Sequence, residues 1–547
     1  LALLTPPNAR NLIVTRQAIA PYARRAGLVA VLVAIGLGLA WLPLPQAAAA
    51  LAGVAATLLV LLHPVWGLIA LIPLIPFSSL VSLQIGGFNV GGMETLLALI
   101  LFAWLVRMAV RREIVIPHPP LLLPWLLWLG AILLSWLGVL SLGDALTETV
   151  KWLEMLALYL FMAATIERRH LPWLVGAILL AGTAQAMLGL YQFVFRAGPA
   201  GFLLFDGRFL RAYGSFRQPN PYAGYLGLVL PIAYSLVLWG LGSRRQTSNV
   251  PAKRCGPGNR QTSAVSDQPS AVGGPIGRLR SQPSAASPTS YSPTIPKGGC
   301  ALGGFAVLLT PYFTLPAFGL MLVALYASQS RGAWIGFAAA LIAVSLARGG
   351  RSAVLFGLAV AVVATAGAVG DVSLPPTITE RFADVLPVAG IPDVATIPVT
   401  DANFAAVERL AHWQAALAMW RDHPWLGVGF GNYAAIYPAY AIGRWLDPLG
   451  HAHNYYLNVG AEAGLVGLLG YIFFWLSAFG LAWQTIRRSQ GFQRALAAGG
   501  LGVLVHLSVH NGLDNLFVQG MYLHVSIVLG LLALIYRAQI DNSGRGV

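Results

Sequence analysis

The stretch GlyHisAlaHisAsnTyrTyrLeu, residues 450–457, ends a long polar interruption in an otherwise apolar sequence. Upstream, at 421–432, stands ArgAspHisProTrpLeuGlyValGlyPheGlyAsn. Downstream, at 462–470, GluAlaGlyLeuValGlyLeuLeuGly opens the next apolar run. Histidine, arginine, asparagine and glycine are thus set against the start of a hydrophobic span. Polar groups are costly at a membrane boundary, which makes this junction the first place to look for chemistry.

The surrounding chain decides what kind of boundary it is. Its 547 residues are 57% hydrophobic and 10% charged, with a mean hydropathy of +0.70. A water-soluble globule does not carry so much apolar side chain, and several runs approach or exceed the ~20 residues that cross a bilayer as helix. The apolar-out, polar-in alternation of a membrane barrel is absent. The expected fold is an all-α polytopic membrane protein of about 12–14 transmembrane helices, with a large extracytoplasmic loop carrying short amphipathic helices.

The net charge of +15 could suggest nucleic acid, but the Lys and Arg residues sit in short clusters beside apolar runs, as cytoplasmic markers do. Membrane lipids, not nucleic acid, are the expected charged partner. Cys255 and Cys300 are far apart with no CxxC spacing, which argues against a disulfide framework or a zinc–thiolate site. The first 25 residues show no signal-peptide cleavage pattern, so the first apolar run is expected to remain as an anchor.

Placing each basic cluster inside divides the chain. Residues 1–25 form a cytoplasmic arm and 26–242 an N-terminal transmembrane bundle with an outer loop at 196–222. Residues 243–299, rich in Ser, Pro, Gly and Gln, read as a disordered cytoplasmic loop that cannot bury enough apolar surface to order itself. Central transmembrane helices follow at 300–369, then an extracytoplasmic catalytic loop at 370–463. C-terminal transmembrane helices and a short cytoplasmic tail complete the chain at 464–547. On this topology 196–222, 328–332, 370–463 and 513–520 share the outer face, although they are distant in sequence.

Arginines on that face run against the positive-inside tendency: Arg208, Arg211 and Arg217 lie close together, and Arg331 stands at a span boundary. Guanidinium is permanently charged, planar and able to grip phosphate with paired hydrogen bonds, so such a set suits a pyrophosphate on a lipid carrier. The plainer reading is arginines reaching to head groups. His453 is the candidate proton handler; a lone interfacial histidine is more often structural, but His451, Asn454 and Tyr455 crowd around this one. The HisAlaHis pattern also suggests metal, yet no HExxH pattern or closely spaced carboxylate set completes a site.

Other features read as scaffold. The glycines of 427–431 superficially resemble a nucleotide loop but follow HisProTrpLeu in place of a strand, and fit a tight turn better. Residues 404–421 have helical apolar spacing and read as an amphipathic helix at the outer interface. Glu148, Lys151 and Glu154 are spaced for ion pairing within the bundle. His510 and Asp514, four apart, either join the active cavity or bond each other.

Four pieces, taken in order, resemble the bacterial O-antigen ligase and polymerase superfamily of membrane glycosyltransferases. They are 211–223 (ArgAlaTyrGlySerPheArgGlnProAsnProTyrAla), 330–334 (SerArgGlyAlaTrp), 409–432, and 451–457 with the following GluAlaGlyLeuValGly. The resemblance implies transfer of an oligo- or polysaccharide from undecaprenyl pyrophosphate to an acceptor hydroxyl on lipid, glycan or protein. It implies an outward-facing site in the bacterial cytoplasmic membrane, with no metal, cofactor or nucleotide sugar. It also implies two essential arginines and one histidine, assigned by motif position to Arg211 (Arg217 as second choice), Arg331 and His453. Asn220, Arg409, His451, Asn454 and His510 are expected to contact substrate, together with Arg217. The insertion at 243–299 departs from the compact family pattern and leaves the acceptor open among ligase, polymerase and protein O-oligosaccharyltransferase. A polyisoprenoid-glycan transporter would place its arginines through the mid-membrane, and a scaffold or sensor would use 370–463 as a binding module.

Overall fold

The computed structural model describes residues 41, 43–80, 82–85, 88–113, 117–204, 207–248, 308–350, 393–400 and 403–544. These form helices almost throughout. The helices are α1 Leu44–Leu62, α2 Pro64–Phe77, α3 Gly92–Arg111, α4 Leu122–Ser135, α5 Leu142–Thr165, α6 Leu171–Phe195 and α7 Pro219–Ser248. They continue as α8 Pro311–Ala327, α9 Arg331–Arg348, α10 Phe404–Asp422, α11 Tyr433–Ile436, α12 Tyr455–Arg488, α13 Gly491–Asn511 and α14 Met521–Gly544. The only strands among the described residues are two short antiparallel hairpins, β1 Ser82–Ile85 with β2 Phe88–Gly91, and β3 Leu203–Leu204 with β4 Phe209–Leu210.

By length and composition, eight of the described helices can cross a membrane, and α2, α4 and α8 are shorter apolar helices. Their outer faces identify the solvent. Leu51, Val54, Leu58 and Leu62 on α1, and Leu123, Leu126, Leu127 and Leu134 on α4, are each at least half exposed. A stripe that apolar would aggregate in water, so hydrocarbon is what covers it. The chain is a multi-pass, all-α membrane protein. The apolar runs of the sequence at 94–110, 171–195, 333–347 and 495–513 correspond to α3, α6, α9 and α13 within a few residues. The apolar run at 352–369 lies outside the described residues, as does nearly all of 26–43. The loop expected from 243 begins later, since α7 stays helical to Ser248; the rest of that loop lies outside the described residues. Pro311 starts α8 at its first turn, where a missing N–H costs nothing, and only Pro316 lies within it.

The interior is aromatic where helices cross. Trp128 meets Trp152, Phe430 and Tyr471 edge-on at ring separations of 5.3–5.7 Å. Close approach elsewhere relies on small residues: α13 packs on α7 and α9, with His506 filling the space left by Gly227 and Gly336. Glu148 and Lys151 form the expected ion pair, while Glu154 instead accepts a 2.6 Å bond from the Tyr522 hydroxyl.

Beyond the bundle, residues 393–400 and 403–454 fold into a small unit of their own. Helix α10 does not lie flat on lipid as its pattern suggested. Its buried face (Ala411, His412, Ala415, Ala416, Met419) packs on Tyr433, Tyr437 and Ala461. The unit is pinned to the bundle by backbone bonds. Val428 and Gly429 donate to the carbonyls of Ala461 and Glu462 at 2.9 Å each, and Leu465 donates to Pro424 at 2.8 Å. This is possible because α12 breaks at Gly464 (φ 64°, ψ −162°), which frees the carbonyls and N–H groups on either side. The glycines at 427–431 thus serve close packing: a Cβ on Gly427 would lie 2.3 Å from the Glu462 carbonyl carbon.

Candidate active site

Four segments distant in sequence meet at one end of the bundle. They are the β3–β4 hairpin with residues 211–220, the 328–331 turn that starts α9, helix α10, and the α13–α14 connection. Together they enclose a cavity of about 160 Å³ lined by Arg211, Asn220, Arg331, Arg409, His510 and Asp514, with Trp413 and Gln329 also on its wall.

The position of each group has a local cause. Arg211 donates through Nε to the Ser328 carbonyl at 2.9 Å, and its terminal nitrogen donates to Asn220 Oδ1 at 2.8 Å. One guanidinium thereby ties the hairpin to the turn bearing Arg331, and a backbone bond from Ala212 to Ala327 at 3.0 Å reinforces the link. Arg331 is the first residue of α9, so its stem leaves the helix at the cavity mouth. Arg409 comes from the first half of α10, and its Nε is buried with no protein partner. A buried donor left unmatched costs about 1–3 kcal/mol.

The histidine motif stands behind this cavity, not in its lining. His453 adopts a left-handed backbone (φ 52°), costly for a residue with a Cβ. Its N–H donates to His451 Nδ1 at 3.1 Å, and its carbonyl accepts from Trp413 Nε1 at 3.4 Å. Because His451 Nδ1 is an acceptor, the proton of the neutral ring sits on Nε2, which faces Asp514 Oδ1 at 3.9 Å. His453 Nδ1 lies 3.5 Å from the same carboxylate oxygen, and neither ring nitrogen of His453 has a hydrogen-bond partner. Asp514 therefore connects the arginine cavity to the imidazoles.

Burial disfavours a charged Asp514, but the contact with His453 and the proximity of His451 and Arg409 outweigh it and hold the carboxyl well below the usual range. Burial pushes His451 down to about 4 despite the opposing pull of Asp514. It does the same to His412, where His453 and His451 add to the effect. His412 stacks on Tyr437 at 4.7 Å and has Nδ1 3.0 Å from the Tyr433 hydroxyl, walling in the motif from the far side.

His451, His453 and Asp514 present donor atoms within 4.8 Å of one another, which is close enough to consider a cation. The bond to His451 Nδ1 argues against it. A metal at Nε2 needs the lone pair there, so the proton would have to move to Nδ1 and break the contact with the His453 N–H.

Of the residues expected from sequence, Arg211, Asn220, Arg331, Arg409 and His510 come together, and His451 and His453 adjoin them through Asp514. Two stand apart. Arg217 is exposed and absent from the cavity wall, because the chain turns into α7 right after it. The Asn454 oxygen caps α12, accepting from the Tyr456 and Leu457 N–H groups at 3.0 and 3.1 Å, and is thus committed to the helix. Of the two readings the sequence left open for His510 and Asp514, both residues line the cavity; the contacts of Asp514 with His451 and His453 come from a loop some sixty residues earlier.

A polytopic all-α membrane protein with an arginine-lined cavity beside a histidine loop is the class that fold and site define. Within that class, a family model described as O-antigen ligase matches residues 316–472, which hold Arg331, Arg409, His451 and His453. The O-antigen ligase of Pseudomonas aeruginosa is 31% identical over 176 residues, covering 32% of this chain and 35% of that protein. Both findings support the O-antigen ligase-like family. The matched region spans about a third of the length of that relative.

Proposed function

We propose that this chain transfers an oligo- or polysaccharide from undecaprenyl pyrophosphate to an acceptor hydroxyl on the extracytoplasmic face of a bacterial cytoplasmic membrane. The observation that carries this reading is the convergence of Arg211, Arg331 and Arg409 on one cavity beside His453. In the proposed step the acceptor O–H loses its proton to His453 and its oxygen attacks C1 of the donor sugar. The bond from C1 to the diphosphate oxygen breaks with inversion, leaving undecaprenyl pyrophosphate. Guanidinium groups held in place before reaction stabilise the charge that grows on the leaving diphosphate, the kind of preorganisation that gives the largest catalytic returns. Asp514 orients the imidazole and offsets its positive charge after proton transfer. The 3.5 Å separation is long for that role, but catalytic contacts commonly tighten only with substrate bound.

The orientation is supported by charge. Arg107 and Arg111 end α3, Arg168 and Arg169 precede α6, Arg348 ends α9, and Arg487, Arg488 and Arg494 flank the α12–α13 turn. All lie at the end of the bundle away from the cavity. A positive-inside arrangement then turns the cavity outward. The test is transfer of a lipid-linked glycan by purified protein. Arg331→Ala and His453→Ala should each cut turnover by about 10²-fold or more, and full activity in either would remove the assignment. In a deletion strain, accumulated full-length lipid-linked glycan would mark a ligase and accumulated single repeat units a polymerase.

A further inference from the structure

A second and larger cavity, of about 1030 Å³, opens at the other end of the bundle. Helix α14 begins next to the arginine cavity and reaches this one at Arg537, sixteen residues on from Met521, or about 24 Å along the axis. The two cavities are therefore separate sites, and nothing in the proposed transfer reaction uses the second.

Its wall carries four guanidiniums, Arg107, Arg111, Arg169 and Arg537, against two carboxylates, Glu113 and Glu167. Three of the four are anchored. Arg107 donates to the Leu62 carbonyl at the last residue of α1, Arg537 donates to the Ala163 carbonyl at 3.3 Å near the end of α5, and Arg169 pairs with Glu167 at 3.0 Å. A guanidinium has five N–H donors, so each anchor fixes the group and leaves other donors for an anion. Helix-end carbonyls thus each hold one edge of the Arg107 and Arg537 heads, and all four arginines line one space.

His63, His118 and His170 share the wall with the arginines, and the remainder of it is apolar, unlike a site for a small hydrophilic ion. Trp66 and Trp173 meet edge-on at 5.1 Å, Trp104 also lines the space, and Val65 and Ile69 of α2 and Met108 of α3 extend the surface. Tryptophan beside arginine at the end of a span is the chemistry of the head-group layer. Arginines between helix ends on the basic side of a bundle suit a lipid phosphate.

We propose that this cavity binds the phosphodiester head group of an anionic phospholipid from the adjoining leaflet, with the acyl chains leaving along α2 and α3. The shared chemistry is phosphate recognition by arginine; the apolar exit favours the lipid source over free phosphate.

The test uses the full chain purified in neutral detergent and native mass spectrometry with added phosphatidylglycerol, phosphatidylcholine or inorganic phosphate. Phosphatidylglycerol should stay bound under activation that strips phosphatidylcholine, and millimolar phosphate should not displace it. The double substitution Arg111→Gln/Arg169→Gln should weaken the bound lipid roughly 10- to 30-fold, from about 1 kcal/mol per basic residue near a charged membrane surface. Arg111→Lys, which keeps the charge, serves where the double variant does not fold, and should lose less than Arg111→Gln alone. Equal retention of the zwitterionic lipid, unchanged binding by the glutamine variants, or displacement by inorganic phosphate would each overturn the proposal.

Discussion

Asp514→Asn is the sharpest probe of the site, because it alters one charge and almost no volume. Its Oδ1 lies 3.5 Å from His453 Nδ1 and 3.9 Å from His451 Nε2, and its side chain is 12% exposed. At an effective dielectric near 20, a unit charge at 3.5 Å is worth roughly 5 kcal/mol; residual solvent access reduces this to about 3–4 kcal/mol. If His453 takes a proton in the transition state, losing that stabilisation slows turnover by about 10²–10³-fold. Donor binding should behave differently, since the substitution also removes a carboxylate that competes with the diphosphate for Arg409. The expected pattern in a lipid-linked glycan transfer assay is a fall in kcat with KM for the donor unchanged or lower. Asp514→Glu should recover part of the loss. A raised KM with kcat intact would refute the reasoning, because it would make Asp514 a binding residue and leave His453 without an orienting partner.

Three further outcomes follow from the scaffold. Asn432→Ala should cost about 3 kcal/mol in thermal unfolding in detergent, since the buried amide accepts from Leu140 and Ser141 N–H at 3.0 and 2.6 Å and donates to the Ser141 carbonyl at 3.0 Å. Wild-type stability there would show that the link to residues 140–141 is dispensable. Gly464→Ala should destabilise by more than about 3 kcal/mol, because it forces a Cβ into a glycine-only backbone region and to 2.3 Å from the Trp425 carbonyl carbon; near-normal melting would contradict the break in α12. Acidification should loosen the unit that carries α10 between pH 6.5 and 4. His412 and His451 are held neutral down to about 4 in the fold, so the unfolded chain binds more protons in that window and stability falls as pH drops, by up to about 3 kcal/mol per ring. Asp514, held low, adds its loss only below the ordinary carboxylate range. Hydrogen exchange in α10 that stays flat from pH 7 to 4 would contradict this.

What the sequence disclosed depended on the range over which each signal acts. Spans were legible because burial in lipid imposes a length on an apolar run, and α3, α6, α9 and α13 obey it locally. Arg211 and Arg331 were legible because a cation on the outer side of a span opposes the prevailing charge bias and needs a reason, whereas Arg409 entered only through the motif resemblance. Arg217 satisfied that rule equally well, but the turn into α7 leaves it facing out, and spacing alone does not say which of two neighbouring arginines turns inward. Asn454 shows the reverse confusion: a polar side chain directly before an apolar run is what both a substrate ligand and a helix cap look like, and its two bonds to the first turn decide for the cap.

The α12 break was hidden for a different reason. Glycine inside an apolar run reads as the start of a span, and 464 marks that start, but the residues before it form a separate helical piece. Its freed carbonyls receive the loop at 428–429. That pairing sets the depth at which the unit carrying α10 rests on the bundle, and so how near Arg409 stands to Arg331 and the His453 motif to Asp514. The catalytic reading thus hangs on a structural glycine as much as on the charged residues. If the two parts were held together only by contact among side chains, a change at position 464 would lower stability and leave the kinetics of surviving molecules alone. If the backbone pairing sets the register, as the bonds from Val428, Gly429 and Leu465 indicate, surviving Gly464→Ala protein should also turn over more slowly, because Arg409 and the His453 motif would both shift against Asp514, which joins the motif to the arginine cavity.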